Sequence, residues 1–261
     1  MSHAIGIFDS GVGGLTVYKE LARLLPNQNF VYLGDTGRVP YGTKSPATVR
    51  RYAREAANFL SRHGVKMLVV ACNTASAVAL EELRQQFALP VIGVIEPGAE
   101  RAVTLSKNSR IGVIGTEGTI KSGAYSAAIH RLNPDAAVFS TPCPLFVPLA
   151  EEGWAHHRIA HLAAEEYLAP LLAENIDTLV LGCTHYPLLK QTLEQVVGSE
   201  VRLVDSAAAT AEAVRALLPN DTSPFEKEGR FYVTDVPTRF EQVGSAFLGA
   251  PLTCVEQVEL A

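Results

Sequence analysis

The chain has 261 residues, 48% hydrophobic and 19% charged, with a formal net charge of −5 from 22 basic and 27 acidic side chains. At about 150 residues per domain this allows one or two domains. The composition excludes a disordered or collagen-like chain, and the acidic balance argues against direct nucleic-acid binding.

Ala4–Phe8 predicts a buried strand that opens into the polar, glycine-rich turn Asp9-Ser10-Gly11-Val12-Gly13-Gly14. No basic region precedes it and an acid follows at Asp9, so the start does not read as a signal peptide. A second strand, Phe30–Leu33, runs into Asp35-Thr36-Gly37-Arg38-Val39-Pro40-Tyr41-Gly42-Thr43-Lys44, a loop that combines a phenol, amides and charges. Ser45 and Pro46 then suit a helix start, with Ala47–Arg62 as the amphipathic body and Gly64 at the exit. Lys66–Cys72 is the next strand and Ser76–Phe87 the next helix. The stretch Met67–Leu80 is too interrupted, by Asn73, Thr74 and Ser76, to span a membrane.

Val91–Ile95 predicts a fourth strand, and Glu96-Pro97-Gly98 marks a domain boundary. Beyond it come strands at Arg110–Ile114, Ala136–Phe139, Thr178–Leu181 and Val201–Val204, with a helix at Ile159–Ala173. After Asp205 a helix, a strand at Gly229–Thr234 and a last helix are too short for a third domain and are expected to pack back on the first. Single helices between apolar strands predict an α/β fold of doubly wound parallel sheets, with ligands bound beyond the carboxyl ends of the strands.

The plan is run through twice. Ile5-Gly6-Ile7-Phe8-Asp9-Ser10 parallels Ile111-Gly112-Val113-Ile114-Gly115-Thr116. Val69-Val70-Ala71-Cys72-Asn73-Thr74 parallels Val180-Leu181-Gly182-Cys183-Thr184-His185. Gly6 precedes Cys72 by 66 residues and Gly112 precedes Cys183 by 71. The expectation is two similar lobes, residues 1–97 with 207–261 and residues 98–206, with the active site in the cleft between them.

A single cysteine at a strand end is most simply a small buried hydrophobe. Two at matching positions of two lobes suggest more. Each is expected beside a helix N-terminus, where the dipole and free amides favour a thiolate. Facing each other across a cleft, they suit a reaction that needs a base and an acid on opposite faces of one carbon. Asp9, among apolar residues and glycines, is unlike a solvated charge, and its glycine-rich turn can cradle an anion. His185, two residues past Cys183, can serve it as acid, base or orienter, or merely cap the following helix.

Other signals carry less. His157, His161 and Glu165 share a helical face, but with Arg158 adjacent and no Glu beside the first His they read as a solvated face, so no metal is expected. Cys143 and Cys254 have no counterparts and read as structural; the four cysteines form no disulfide framework, and free thiols in a reducing cytoplasm are expected. Trp154 is expected at the edge of the cleft. No pyridoxal-phosphate lysine motif, nucleotide loop or serine-hydrolase elbow is present.

Taken together, Gly6–Val17, Asp35–Gly42, Ala71–Ser76, Gly93–Ala99 and Leu181–Leu188 resemble the glutamate racemases of the aspartate/glutamate racemase family, in family order between residue 5 and Ser206. The resemblance implies cofactor-independent interconversion of L- and D-glutamate, supplying D-glutamate for bacterial peptidoglycan. It implies Cys72 and Cys183 as the two proton donor/acceptors, assisted by Asp9, Glu151 and His185, with Glu152 leaving the choice of acid open. Asp9, Ser10, Tyr41, Gly42, Asn73, Thr74, Thr116, Thr184 and His185 would bind substrate. Related readings are two-cysteine racemases of aspartate or hydantoins, one-thiol Cα-decarboxylases, and a binding protein with a gyrase-inhibitor role. The expected partner is glutamate, a homodimer is left open, and no membrane contact is expected. Relatives that need a cell-wall-precursor activator carry an extra N-terminal segment, and with the first motif at Ile5 no activation is expected.

Overall fold

The computed structural model describes residues 4–218 and 229–260; the other residues of the expected first lobe, 1–3, 219–228 and 261, lie outside the described residues. Strand and helix alternate from β1 (Ile5–Asp9) through α1 (Leu15–Leu24), β2 (Phe30–Gly34), α2 (Pro46–Arg62), β3 (Met67–Val70) and α3 (Asn73–Gln86) to β4 (Val91–Gly93). Helix α4 (Ile95–Leu105) leads into β5 (Arg110–Gly115), α5 (Glu117–Lys121), α6 (Ala124–Leu132), β6 (Ala137–Pro142), α7 (Phe146–Glu151) and α8 (Arg158–Ala173). Then follow β7 (Thr178–Gly182), α9 (Lys190–Val197), β8 (Arg202–Asp205), α10 (Ser206–Leu217), β9 (Gly229–Val233), α11 (Pro237–Leu248) and β10 (Val255–Gln257).

Among the described residues the strands form two all-parallel sheets. The first runs β10-β9-β2-β1-β3-β4 and the second β6-β5-β7-β8. In each, the opening strand is central and the chain leaves first to one side and then to the other. The reversal falls between β1 and β3 in one sheet and between β5 and β7 in the other. Such a switch point opens a crevice beyond the carboxyl ends of the strands. Cys72 and Cys183 follow β3 and β7, so the fold sends both thiols to these crevices.

The strands are apolar on both faces because helices cover both. Ile5 and Ile7 point to a core shared with α1, α10 and α11, whereas Phe8 faces α2 and α3. This is the two-residue alternation of a strand. The second sheet repeats the arrangement, Ile111 and Val113 packing with α4 and α6, Ile114 and Leu181 with α7, α8 and α9. Helix α2 shows the local logic: the Ser45 hydroxyl accepts from Thr48 N–H at 3.3 Å, Pro46 opens the first turn, and Val49, Ala53, Ala56, Ala57 and Leu60 form the buried stripe. Gly64, with φ +69°, makes the left-handed exit.

Glu96, Pro97 and Gly98 are helical, in the first turns of α4, whose Ile95, Ala99 and Ala102 join the core built on the second sheet. The chain therefore passes between sheets through a packed helix. The tail returns to the first sheet, where β9 pairs with β2 and α10 packs on α1. Among the described residues no helix is long and apolar enough to cross a membrane.

Candidate active site

Cys72 follows Ala71 just past the end of β3 and is the residue immediately before α3. Its sulfur takes the capping position and accepts the Ala75 N–H at 3.5 Å. Asn73 and Thr74 form the first turn of α3. The Asn73 Oδ1 accepts from the Tyr125 hydroxyl at 2.7 Å, while its buried Nδ2 has no partner among the described residues. Thr74 reaches across to the other lobe, with its Oγ1 2.9 Å from that of Thr116, and Thr119 completes a cluster of three hydroxyls. Thr119 and Tyr125 were not singled out from sequence. Thr119 lies at the capping spacing from Thr116, a usable signal; nothing local points to Tyr125.

Cys183 leads into a 3-10 turn over Tyr186–Leu189 before α9 begins, so this thiol lacks the helix start expected beside it. Its partner is instead His185, with Nδ1 3.8 Å from Sγ. The far nitrogen, Nε2, lies 3.0 Å from Oε1 of Glu151 at the end of α7. Burial works against a charged imidazole here, but the hydrogen bonds to Cys183 and Glu151 outweigh it and hold His185 up at about 10. The bond from His185 in turn holds the Glu151 carboxyl below the usual carboxylate range. Glu152, one position on and exposed, takes no part in this pair.

Beneath the cleft, Asp9 ends β1 completely buried. Its Oδ2 accepts the Gly11 N–H at 2.9 Å, and its Oδ1 has no hydrogen bond of ordinary geometry among the described residues. Burial raises its pKa against the pull of His185 and the amides of Gly11, Gly14 and Ser10. The glycine turn is also a place where the lobes approach closely. A Cβ at Gly13 would lie 2.3 Å from the Thr184 Oγ1 and 2.5 Å from the His185 Nδ1, and Thr16 donates to the Thr184 carbonyl at 3.0 Å. Glycine is needed here for close approach, not for its backbone angles.

Ser10, Tyr41, Gly42, Cys72, Asn73, Thr74, Thr116, Glu151, Cys183, Thr184 and His185 all line a single cleft, with Asp9 under its floor. The two thiols thus share one cavity rich in donors, with one unpaired acceptor and one unpaired donor buried at its edge. The sequence pattern of the Asp/Glu/hydantoin racemase family matches residues 5–214, more than half of the chain. This chain belongs to that racemase family.

Among its racemase relatives, the glutamate racemase of Geobacter metallireducens is 56% identical, the match covering 98% of this chain and 97% of that one. Among solved structures, a glutamate racemase isoform from Bacillus anthracis superposes with a TM-score of 0.94 at 39% identity, over 100% and 99% of the two chains. The glutamate racemase of Francisella tularensis, solved in complex with D-glutamate, gives 0.91 at 42% identity over 99% and 98%.

Three further expectations for this racemase need correction. Cys72 does not gain a low pKa from its helix: burial and the negative charge of Asp9 outweigh the Ala75 amide and the Ser10 hydroxyl, and push the thiol up to about 12. The Tyr41 phenol is committed elsewhere: it is buried and donates to Asp35, although Tyr41 and Gly42 both line the cleft. Trp154 is not at the cleft; it is half exposed and stacks on His157, ring centroids 5.0 Å apart. Arg38 is likewise committed, to Asp35 at 2.7 Å and to Glu55. His157 caps α8 by accepting the Ile159 N–H at 3.2 Å, and His161 pairs with Glu165 at 3.6 Å. Cys143 is buried and Cys254 exposed.

Proposed function

We propose that this protein is a glutamate racemase that works by two thiols without a cofactor, supplies D-glutamate for peptidoglycan and acts in the cytoplasm. The observation that carries the reading is the pair Cys72 and Cys183 in one cleft, each delivered by the switch point of its own sheet. Residues 1–97 with 207–261 form one lobe in this reading and residues 98–206 the other.

In each direction one sulfur, as thiolate, takes the α-proton of glutamate, and the opposite thiol gives a proton to the other face of the same carbon. One C–H bond breaks and one forms, and the charge on the two sulfurs exchanges. The base is the sulfur on the side of the departing proton, so the roles reverse with the enantiomer. Cys72, with its raised pKa, rests as the neutral acid. The substrate's ammonium group brings into the cleft the positive charge that its thiolate needs. His185, backed by Glu151, exchanges a proton with Cys183.

A glutamate carbanion needs strong stabilisation, and a preorganised, water-poor set of donors is the means. Asn73 Nδ2 and the amides and hydroxyls of Ser10, Gly42, Thr74, Thr116 and Thr184 are those donors, and the unpaired Oδ1 of Asp9 is an acceptor for the ammonium group. The test is racemisation of a panel of amino acids by purified protein, after dialysis against a chelator and a carbonyl reagent. D-Glutamate should form at full rate, and aspartate should be turned over poorly. A preference for aspartate, or abolition by either reagent, would overturn the proposal.

A further inference from the structure

His185 is also touched by a helix that carries none of the residues assigned to the site. On α11, Arg239, Val243 and Phe247 recur every four residues and so share one face. Phe247 is buried within the first-lobe core, and its ring packs at 89° to the His185 imidazole with centroids 5.4 Å apart. One and two turns earlier, Val243 and Arg239 line a cavity of about 130 Å³ that Glu151 also lines. The bond from His185 dominates in keeping the Glu151 carboxyl ionised, and the charge of Arg239 adds to it.

Glu151 and Cys183 hold the imidazole at its two nitrogens, both in the plane of the ring. Such contacts act in the plane of the ring and do not by themselves hold its faces. A perpendicular aromatic ring against it restrains tilting out of that plane. Helix α11 is itself rigidly seated: a Cβ at Gly244 would meet Leu15 and Leu252 at 2.8 Å, and Phe240 packs on Tyr32 at 5.8 Å. We propose that Phe247 is a positioning residue for the racemase reaction, fixing from the first lobe the plane of His185 on the second and thereby its alignment with Cys183. The proposal rests on the reading of Cys183 as one of the two bases.

Phe247→Leu and Phe247→Met keep the apolar bulk and remove the ring, and both are to be checked by thermal melting so that a folding defect in one leaves the other informative. Misalignment of a catalytic group should cost about tenfold in kcat with KM little changed. The decisive reading is the primary isotope effect on kcat/KM with Cα-deuterated substrate. Because enantiomers are equal in energy, kcat/KM must fall equally in both directions. The isotope effects need not: slowing only the proton transfer at Cys183 makes them rise with one enantiomer and fall with the other. Gln242→Ala, exposed on the same helix, should behave as wild type. An isotope pattern unchanged from wild type in the folded variants, at any level of activity, would overturn the proposal. If Cys183→Ala still racemises glutamate, the two-base reading itself has failed, and the proposal with it.

Discussion

Oε1 of Glu151 stands 3.0 Å from Nε2 of His185, and this contact helps to keep the imidazole protonated well above its ordinary range. A histidine whose folded pKa is raised from 6.5 to about 10 contributes stability in full below pH 6.5, and loses it as the pH climbs towards about 10. Glu151→Gln removes one of the two partners that raise it. The alkaline decline in stability should then end at lower pH, and D-glutamate formation should drop by about 10²-fold. Glu152→Gln, altering an exposed side chain, should change neither. Thermal unfolding of the two variants from pH 6 to pH 10 checks this; identical curves would return the assisting role to another group.

Asp9 presents the opposite balance. It is a buried carboxylate with one oxygen unpaired, a costly arrangement for a fold that needs only a turn there. Its raised pKa means that the folded state holds the proton more tightly than the unfolded one, so its contribution to stability declines as pH rises above 3.8. Asp9→Asn should therefore leave the melting temperature at pH 7 unchanged or higher while lowering racemisation by about 10²-fold or more. A destabilised variant with near-normal turnover would make Asp9 structural.

Tyr41 and Gly42 offer a test of whether the proposed substrate contacts in this loop come from side chain or backbone. The Tyr41 hydroxyl donates to Asp35, which also accepts from Thr234 at 2.8 Å and Arg38 at 2.7 Å. Tyr41→Phe should cost roughly 1–2 kcal/mol of stability with little change in KM for glutamate. Arg38→Ala should likewise act on stability. At Gly42 a Cβ would come within 2.7 Å of the Thr116 Cβ, across the cleft from it. Gly42→Ala should raise KM at least tenfold without a matching loss of stability. Steady-state kinetics beside melting curves distinguish the two patterns, and a large KM effect in Tyr41→Phe alone would restore the phenol to the substrate.

The alternation of strand and helix was legible because buried parallel strands are short apolar runs such as Met67–Val70, bounded by turns. The paired cysteines were legible because the second sheet repeats the first. What escaped was direction and partnership. That helix α3 begins at Asn73, three residues before Ser76, follows from a cysteine taking the capping place usually held by a hydroxyl or carboxamide. Which end of Tyr41 faces the cleft depends on Asp35, six residues away, and the nearness of that pair in sequence does not reveal it. Glu151 and Glu152 differ by one helical step, about 100° of rotation, and only the packing of α7 decides which meets His185. Phe247 lies 62 residues from His185 on a different lobe, where no local pattern reaches.

The two cysteines carry the sharpest expectation. Each is 5% exposed at a cleft, so Cys72→Ala and Cys183→Ala should fold and melt much as the wild type does. Each should nonetheless lose racemisation entirely, since one face of the α-carbon is left without a proton acceptor or donor. The double variant should be little worse than either single one, because groups that act as a unit are not additive. In deuterated water the wild type should place solvent deuterium at Cα of the product enantiomer, because the sulfur that returns the proton is not the one that took it. A one-base mechanism makes the contrary demands: one cysteine would be dispensable, and part of the substrate hydrogen would be carried into product. Chiral analysis of D-glutamate with mass detection of deuterium reads both. Sustained turnover in either single variant would exclude the two-thiol mechanism, whatever the geometry of the cleft.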